Sequence, residues 1–296
     1  MNQNGSIDAE TLVRLQSALA KLLTEFDRVC QELQIPYTLS GGTIIGAVRH
    51  RDFIPWDDDA DVLLLRGDYE KFLKEAPHII GREFAIENSR TNRDYPNMFS
   101  NLVIKGTYFI PAFIARSPYR MAIGLDIFPF DRTAPTRSRY IIQKAETWFW
   151  GRMMYLQGTP TPYLEIKSPL KYGIYAITSF MYWSMRLLHI KPHTLQRKWE
   201  HAARRYEHSS SLLFTDFTNR NPDKWLLKQD DVVNALSVRF GELLLRIPND
   251  YDRILTRAYG NYMELPPVSQ RKSHQPVLID FGDFGESNPK TSFPKK

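Results

Sequence analysis

The sequence predicts an α+β fold, a mixed β-sheet flanked by helices with a helical insertion in the second half, and three observations carry that reading. Apolar residues between Leu12 and Leu33 recur at helical spacing. Short apolar runs separated by Gly, Pro and polar turns follow at 37–39, 62–65, 84–86, 102–105, 108–110 and 122–128. Helical periodicity then returns over 136–208, now rich in aromatic and basic residues. With 296 residues, 43% of them hydrophobic and 24% charged, the chain can bury a sizeable core and is not of disordered composition.

In order, Leu12, Leu15, Leu19, Leu22, Phe26, Val29, Cys30 and Leu33 form the stripe of a first helix, with Ser6 or Asp8 as its cap and Pro36 as its stop. Residues 37–39 read as a strand, Gly41-Gly42 as a turn, and 43–48 as a short helix. Residues 62–65 are a buried strand, Gly67-Asp68 a turn and cap, and Tyr69, Phe72, Leu73 and Ala76 a further helix. Strands follow at 84–86, 102–105 and 108–110. In the run 122–131, Ile123, Leu125 and Ile127 share one face and Asp126 lies on the other beside Gly124 and Phe128. Asp131, just beyond Pro129, reads as a turn or cap residue.

Residues 136–157 are helical, 158–162 a turn-rich break, and 170–190 a second aromatic-rich helix. That helix is nearly long enough to span a bilayer, but Lys171, Thr178, Ser179, Ser184 and Arg186 favour a buried or interfacial position. The basic stretch after it, with Lys191, Arg197, Lys198, Arg204 and Arg205, suits a solvated face or peripheral contact with an anionic membrane. Residues 219–223 read as a turn, 238–240 and 243–247 as extended, and Asn249 or Asp250 as the start of a last helix stopped by Gly260. The expected divisions are an N-terminal helix (1–35), a catalytic core (36–135), a helical, aromatic and basic region (136–225), a part completing the core (226–281) and a disordered tail (282–296).

The chemistry concentrates between Gly41 and Leu65. Asp57, Asp58, Asp59 and Asp61 run directly into an apolar strand, which is costly unless a cation offsets the charge. Strand alternation puts Asp57, Asp59 and Asp61 on one face and Asp58 on the other, near the solvent end or capping the turn after Pro55. Neighbours on one face lie about 7 Å apart, so Asp59 can share an ion with Asp57 or Asp61. Carboxylates without Cys or clustered His imply a hard cation, Mg²⁺ or Mn²⁺. Upstream, Gly41, Gly42 and Thr43 open a helix whose amides can face a phosphate, and Arg49, His50 and Arg51 add cations. Lys105 on its strand, Arg90 and Arg93 in a polar loop, and Arg271, Lys272 and His274 are further candidates for anion binding. Asp126, an isolated acid in an apolar strand, wants a partner that a bound metal would supply.

The remaining composition narrows the class. A lone Cys30 excludes an internal disulfide and fits a reducing compartment, and residues 1–8 carry no secretory signal, so a cytoplasmic location is expected. The net charge of +6 suits an anionic substrate or a membrane surface and is modest for a dedicated nucleic-acid binder.

Gly41-Gly42-Thr43-Ile44-Ile45-Gly46-Ala47-Val48-Arg49-His50, then Phe53-Ile54-Pro55-Trp56-Asp57-Asp58-Asp59-Ala60-Asp61, closely resembles the signature of the LicD family, whose animal relatives include fukutin and fukutin-related protein. Leu125-Asp126-Ile127-Phe128-Pro129-Phe130-Asp131, and the blocks 247–251 and 259–267, are similar to later blocks of that family. The resemblance implies a nucleotidyltransferase-like core with Asp59 and Asp61 as principal metal ligands, Asp126 as third ligand and base, and Asp57 as an additional ligand. It implies a CDP-activated donor, such as CDP-choline or a CDP-alditol, and a glycan or lipid-linked oligosaccharide acceptor. Gly41, Gly42, Arg49 and His50 would then steady the phosphates. Two alternatives stay open: a nucleotidyltransferase that adds a nucleoside monophosphate to a small molecule or RNA, and a non-catalytic glycan-binding protein on the same fold.

Overall fold

A computed structural model describes residues 7–114, 119–158, 169–271, 273–274 and 276–284. The first helix, α1 (Ala9–Glu32), starts where Asp8 accepts a hydrogen bond from the Thr11 amide at 2.9 Å, so Asp8 is the cap; Ser6 lies outside the described residues. Its apolar stripe, from Leu15 through Phe26 to Cys30, is almost fully buried.

The central sheet follows from strands β1 (Thr38–Leu39), β2 (Asp61–Leu65), β3 (Phe84–Glu87), β4 (Ser100–Ile104) and β6 (Gly124–Arg132). Their order is β1-β2-β6-β4-β3, with β2 and β6 parallel and the other pairs antiparallel. Leu125 and Ile127, on the inner face of β6, are buried in one core with α1, Val62 and Leu64. Between β4 and β6, β5 (Tyr108–Pro111) leaves the sheet and pairs instead with β11 (Pro276–Asp280).

Between β1 and β2 the chain forms α2 (Gly41–Ile45), which continues into a π-helical turn (Gly46–His50) and ends with Arg51 in the left-handed region. The helix therefore begins at Gly41, two residues before the sequence-based start. Residues 57–60 are irregular rather than extended, and β2 begins only at Asp61. α3 (Arg66–Glu75) follows β2 without a turn, so Gly67 and Asp68 lie inside the helix.

The far end of β6 bears a further correction. Asp131 belongs to the strand, is 1% exposed, and receives two 2.7 Å hydrogen bonds from the Arg66 guanidinium, itself 3% exposed. The fork geometry matches a bidentate carboxylate pair. Glu70 and Glu200 extend the network to Arg90 and Arg204, so Arg90 is tied into the framework. Three arginines and three acids are thereby locked into one network.

The second half supplies α4 (Arg137–Gly158), α5 (Leu170–Leu187) and α6 (Pro192–Arg204) between β6 and the strand that pairs with its end, β7 (Leu213–Thr215). Then come β8 (Leu227–Lys228), α7 (Gln229–Val233), the hairpin β9 (Leu236–Phe240) and β10 (Leu243–Ile247), and α8 (Tyr251–Tyr259). α6 buries Leu195, Trp199, Ala202 and Ala203, whereas α5 buries only Thr178 and Met185. Tyr172, Phe180 and Trp183 of α5 are 75%, 72% and 63% exposed. Among the described residues that helix is therefore largely exposed rather than buried. The turn at 159–162, Lys272 and the tail from 285 fall outside the described residues.

Candidate active site

Sheet register brings two of the acids together. In the parallel pair, Asp61 stands opposite Asp126, and in the antiparallel pair Asn101 stands opposite Asp126 from the other side. Asn101, Asp126 and Asp61 thus form a row across three strands. The row is fixed by backbone bonds from Asp126 N to Ala60 O (3.0 Å) and from Ser40 N to Asp61 O (2.9 Å). Asn101 donates its amide to Asp126, and the fully buried Tyr95 donates its hydroxyl to Asn101. Asp126 is oriented by this relay, which leaves one of its carboxylate oxygens uncommitted.

The Gly41-Gly42 turn makes room for the acids. Gly41 has φ +56°, and a Cβ there would fall on Asp61 Oδ2; a Cβ at Gly42 would lie 3.3 Å from Asp57 Oδ2. Any side chain at these positions would displace the carboxylates. Thr43, 3% exposed, accepts a 2.9 Å hydrogen bond from the Asp61 amide, so its hydroxyl sets the start of β2 and does not face a ligand. From α1, Gln16 reaches the loop carbonyls of Asp57 (2.9 Å) and Ile54 (3.3 Å).

Asp58 differs from the sequence-based expectation. It is not at the solvent end but 2% exposed, clasped by the His274 backbone N–H at 2.8 Å and by its Nδ1 at 2.9 Å. The same Nδ1 lies 3.7 Å from Asp59 Oδ2. Hydrogen bonding to Asp58, then the charges of Asp59 and Asp58, push the His274 imidazole up to about 9, so it is an imidazolium at neutral pH. Asp58, Asp59 and His274 lie close enough to hold one ion, for which the ring would have to give up its proton.

Asp58, Asp59, Asp61, Asp126, Asn101 and His274 line a cavity of about 330 Å³ with an apolar wall that includes Phe99, Phe109 and Phe128. Burial and mutual repulsion raise the carboxyls: Asp57 to about 8 through burial and then Asp59, and Asp126 to about 7 through burial and then Asp59. Burial, then Asp59, Asp126 and Asp57, holds Asp61 well above the usual range. Such a set is under electrostatic strain that a divalent cation relieves. All its ionised donors are hard oxygens, which fits Mg²⁺ or Mn²⁺.

Among the described basic candidates, His274 alone lines this cavity. Arg49 donates to the carbonyls of Tyr262 (2.6 Å) and Glu264 (3.2 Å) and to His50 Nε2 (2.9 Å). His50 meets Trp56 edge-on, and Arg271 covers the Trp56 ring at 4.5 Å, forming a basic rim with Arg49. Lys105 lies in the turn after β4, exposed, and donates to the Arg82 carbonyl at 2.8 Å. Exposed Arg51 gives its carbonyl to the Gly241 N–H at 2.7 Å. Sequence reasoning missed Asn101, Tyr95, Gln16 and Tyr259, the last raised by burial and then by Asp61, Asp57 and Asp59. It also missed Asp216, pushed up to about 6 by burial, whose charge acts on Asp61. Asn101 had a signal: a lone amide inside an apolar strand run needs a buried partner.

A short glycine turn, a strand opening on acids and a third acid on the parallel neighbour make up the core of the site. Residues 34–157, which hold all three, match the family described as LicD/FKTN/FKRP, nucleotidyltransferase domain, so this stretch is a LicD-family domain. It is 24% identical, over 89% of its own length and 96% of the relative's, to the lipopolysaccharide cholinephosphotransferase LicD of Haemophilus influenzae. Over 25% of its length it is 29% identical to an uncharacterised protein of Rickettsia typhi, covering 24% of that protein.

Proposed function

We propose that this chain is a LicD-type phosphotransferase that moves a substituted phosphoryl group, such as phosphocholine or an alditol phosphate, from a CDP-activated donor to a hydroxyl of a cell-surface glycan or glycolipid. The observation that carries this reading is the facing pair Asp61 and Asp126, joined by Asp59 in one cavity with Asp57 close by, where burial and mutual repulsion raise their proton affinity. The likeness to a named lipopolysaccharide cholinephosphotransferase supports the choice of transferred group.

Asp59, Asp61 and Asp126, with Asp57 beside them, would hold Mg²⁺ or Mn²⁺, which supplies Lewis-acid charge to a diphosphate. The missing Cβ atoms of Gly41 and Gly42 let the Asp61 and Asp57 carboxylates sit against the turn, where they would present their oxygens to that ion. Asp126, with one oxygen held by Asn101, uses the other to take the proton of the acceptor hydroxyl. The acceptor oxygen forms its bond to the phosphorus bearing the transferred group as the bond to the cytidylate oxygen breaks, and cytidine monophosphate leaves with that electron pair. The imidazolium of His274 holds Asp58 in place and faces the acids with positive charge.

The acceptor reading extends to the surface. Leu170, Tyr172, Ile177, Phe180, Trp183 and Leu187 of α5 are all exposed, and residues 169–199 contain Lys171, Arg186, Lys191, Arg197 and Lys198 with no acid. An aromatic, aliphatic face beside an all-basic stretch suits peripheral contact with an anionic membrane carrying a lipid-linked acceptor, at its cytoplasmic face. No helix among the described residues is long and apolar enough to cross a membrane.

The test is transfer from CDP-choline labelled in the choline or, separately, in the cytidine, onto lipopolysaccharide with and without Mg²⁺. Choline label in the glycan and cytidine label in free monophosphate, lost in Asp61→Asn, is the expected result. Nucleoside label in the product would instead establish nucleotidyl transfer, and binding without turnover would establish a glycan-binding role.

A further inference from the structure

A second cavity, of about 240 Å³, adjoins the acidic one and shares Asn97 and Phe99 with it. Its charged lining has the opposite sign. Arg152 of α4 and Arg220, from the loop after β7, both line it, and among the described residues no carboxylate does. Arg152 Nε is buried without a hydrogen-bond partner, and neither guanidinium has an ion pair among the described residues. The two cations act on each other: Arg152 is held below its ordinary value first by burial and then by the charge of Arg220. The buried Arg66, by contrast, is satisfied by Asp131. Two neighbouring guanidinia converging on a cavity with an unfilled buried donor are under the same strain as the clustered acids next door, with the sign reversed.

We infer that Arg152 and Arg220 form an anion subsite that binds a phosphate group of one of the two substrates alongside the acidic cavity. The guanidinium forks match phosphate geometry, and Thr218 lines the same space with a hydroxyl. Asn97 and Phe99 line both cavities, so an anion held by the arginines would sit next to the cavity that Asp126 lines. The assignment of that molecule as donor or acceptor rests on the phosphotransferase reading; the subsite itself does not.

The experiment is calorimetric titration of the full chain with inorganic phosphate and, separately, with CDP plus Mg²⁺. The proteins are wild type, Arg220→Gln, Arg152→Gln/Arg220→Gln and Asp61→Asn. Phosphate affinity falling about tenfold or more in the arginine variants and holding in Asp61→Asn is expected. A parallel fall in CDP affinity in the arginine variants assigns the subsite to the donor, and unchanged CDP affinity assigns it to the acceptor. Arg220 is exposed, so Arg220→Gln keeps the test valid if the double variant melts early. Phosphate affinity equal in wild type and Arg220→Gln, or no phosphate binding by wild type at millimolar concentration, overturns the inference. A failure of CDP binding with phosphate binding intact would count against the phosphotransferase reading alone.

Discussion

Replacing Asp126 with Asn should make the metal-free protein more stable while removing its activity. The Asp126 carboxyl is pushed from 3.8 up to about 7 by burial and by Asp59. A carboxyl whose folded value is raised costs nothing below the unfolded value, and its penalty grows as pH rises between the two and is complete above about 7. About three units at ~1.4 kcal/mol each set an upper bound of ~4 kcal/mol. Asp59, Asp61 and Asp57 share the strain and the cavity admits water, so about half is the reasonable expectation, ~2 kcal/mol. For a chain of this size that raises Tm by ~4 °C. An Asn side chain can still accept from Asn101 through its carbonyl, so the relay from Tyr95 survives. The assay is thermal unfolding in chelator at pH 8 and at pH 4, then at pH 8 with millimolar Mg²⁺. The gain should be present at pH 8 and absent at pH 4, and Mg²⁺ should stabilise wild type more than Asp126→Asn. A variant less stable than wild type at pH 8, or equally stabilised at both pH values, would refute the view that these acids are held against their own repulsion.

Three further outcomes follow from the same geometry. Gly41→Ala, which forces a non-glycine residue to φ +56° and sets a methyl against Asp61 Oδ2, should lower kcat about 100-fold with a Tm loss of a few degrees. Steady-state kinetics beside circular dichroism will separate that from unfolding. Asp131→Ala removes the bidentate partner of the 3% exposed Arg66 guanidinium, leaving it only the longer Glu70 and Glu200 contacts, and should cost about 3 kcal/mol in urea denaturation, whereas Asp94→Ala, at an exposed ion pair with Lys191, should cost under ~1 kcal/mol. Phe180→Ser/Trp183→Ser should reduce sedimentation with anionic vesicles several-fold and leave Tm nearly unchanged, because neither side chain is packed.

Much of the core was legible because its signals are local. The stripe of α1, the apolar run after Asp61 and the alternation around Asp126 each express a single element's periodicity, and the structure has all three. The convergence of Asp61 and Asp126 follows from those strands being parallel neighbours in register, which one sequence does not state. Asp58 was misplaced because the residue that buries it, His274, lies 216 positions along the chain. Asp131 was read as a turn for the same reason: its partner Arg66 is 65 residues away, and a nearby Pro129 suggested a break. The irregular loop at 57–60 also escaped strand geometry, since at its start Gln16 from α1 holds the Ile54 and Asp57 carbonyls. The basic residues Arg49 and Lys105 looked available only because backbone carbonyls, their actual partners, are invisible in composition.

The clasp between Asp58 and His274 also sets a timetable. A ribosome delivers the acidic loop early and the imidazole that closes over it more than 200 residues later, and β11, which follows that imidazole, zips onto β5 only then. Until the closing segment docks, the loop has its repulsive charges and no lock, so the nascent chain can build its sheet yet has no finished reaction chamber. The cavity of clustered acids is therefore closed by a segment made long after the sheet beneath it.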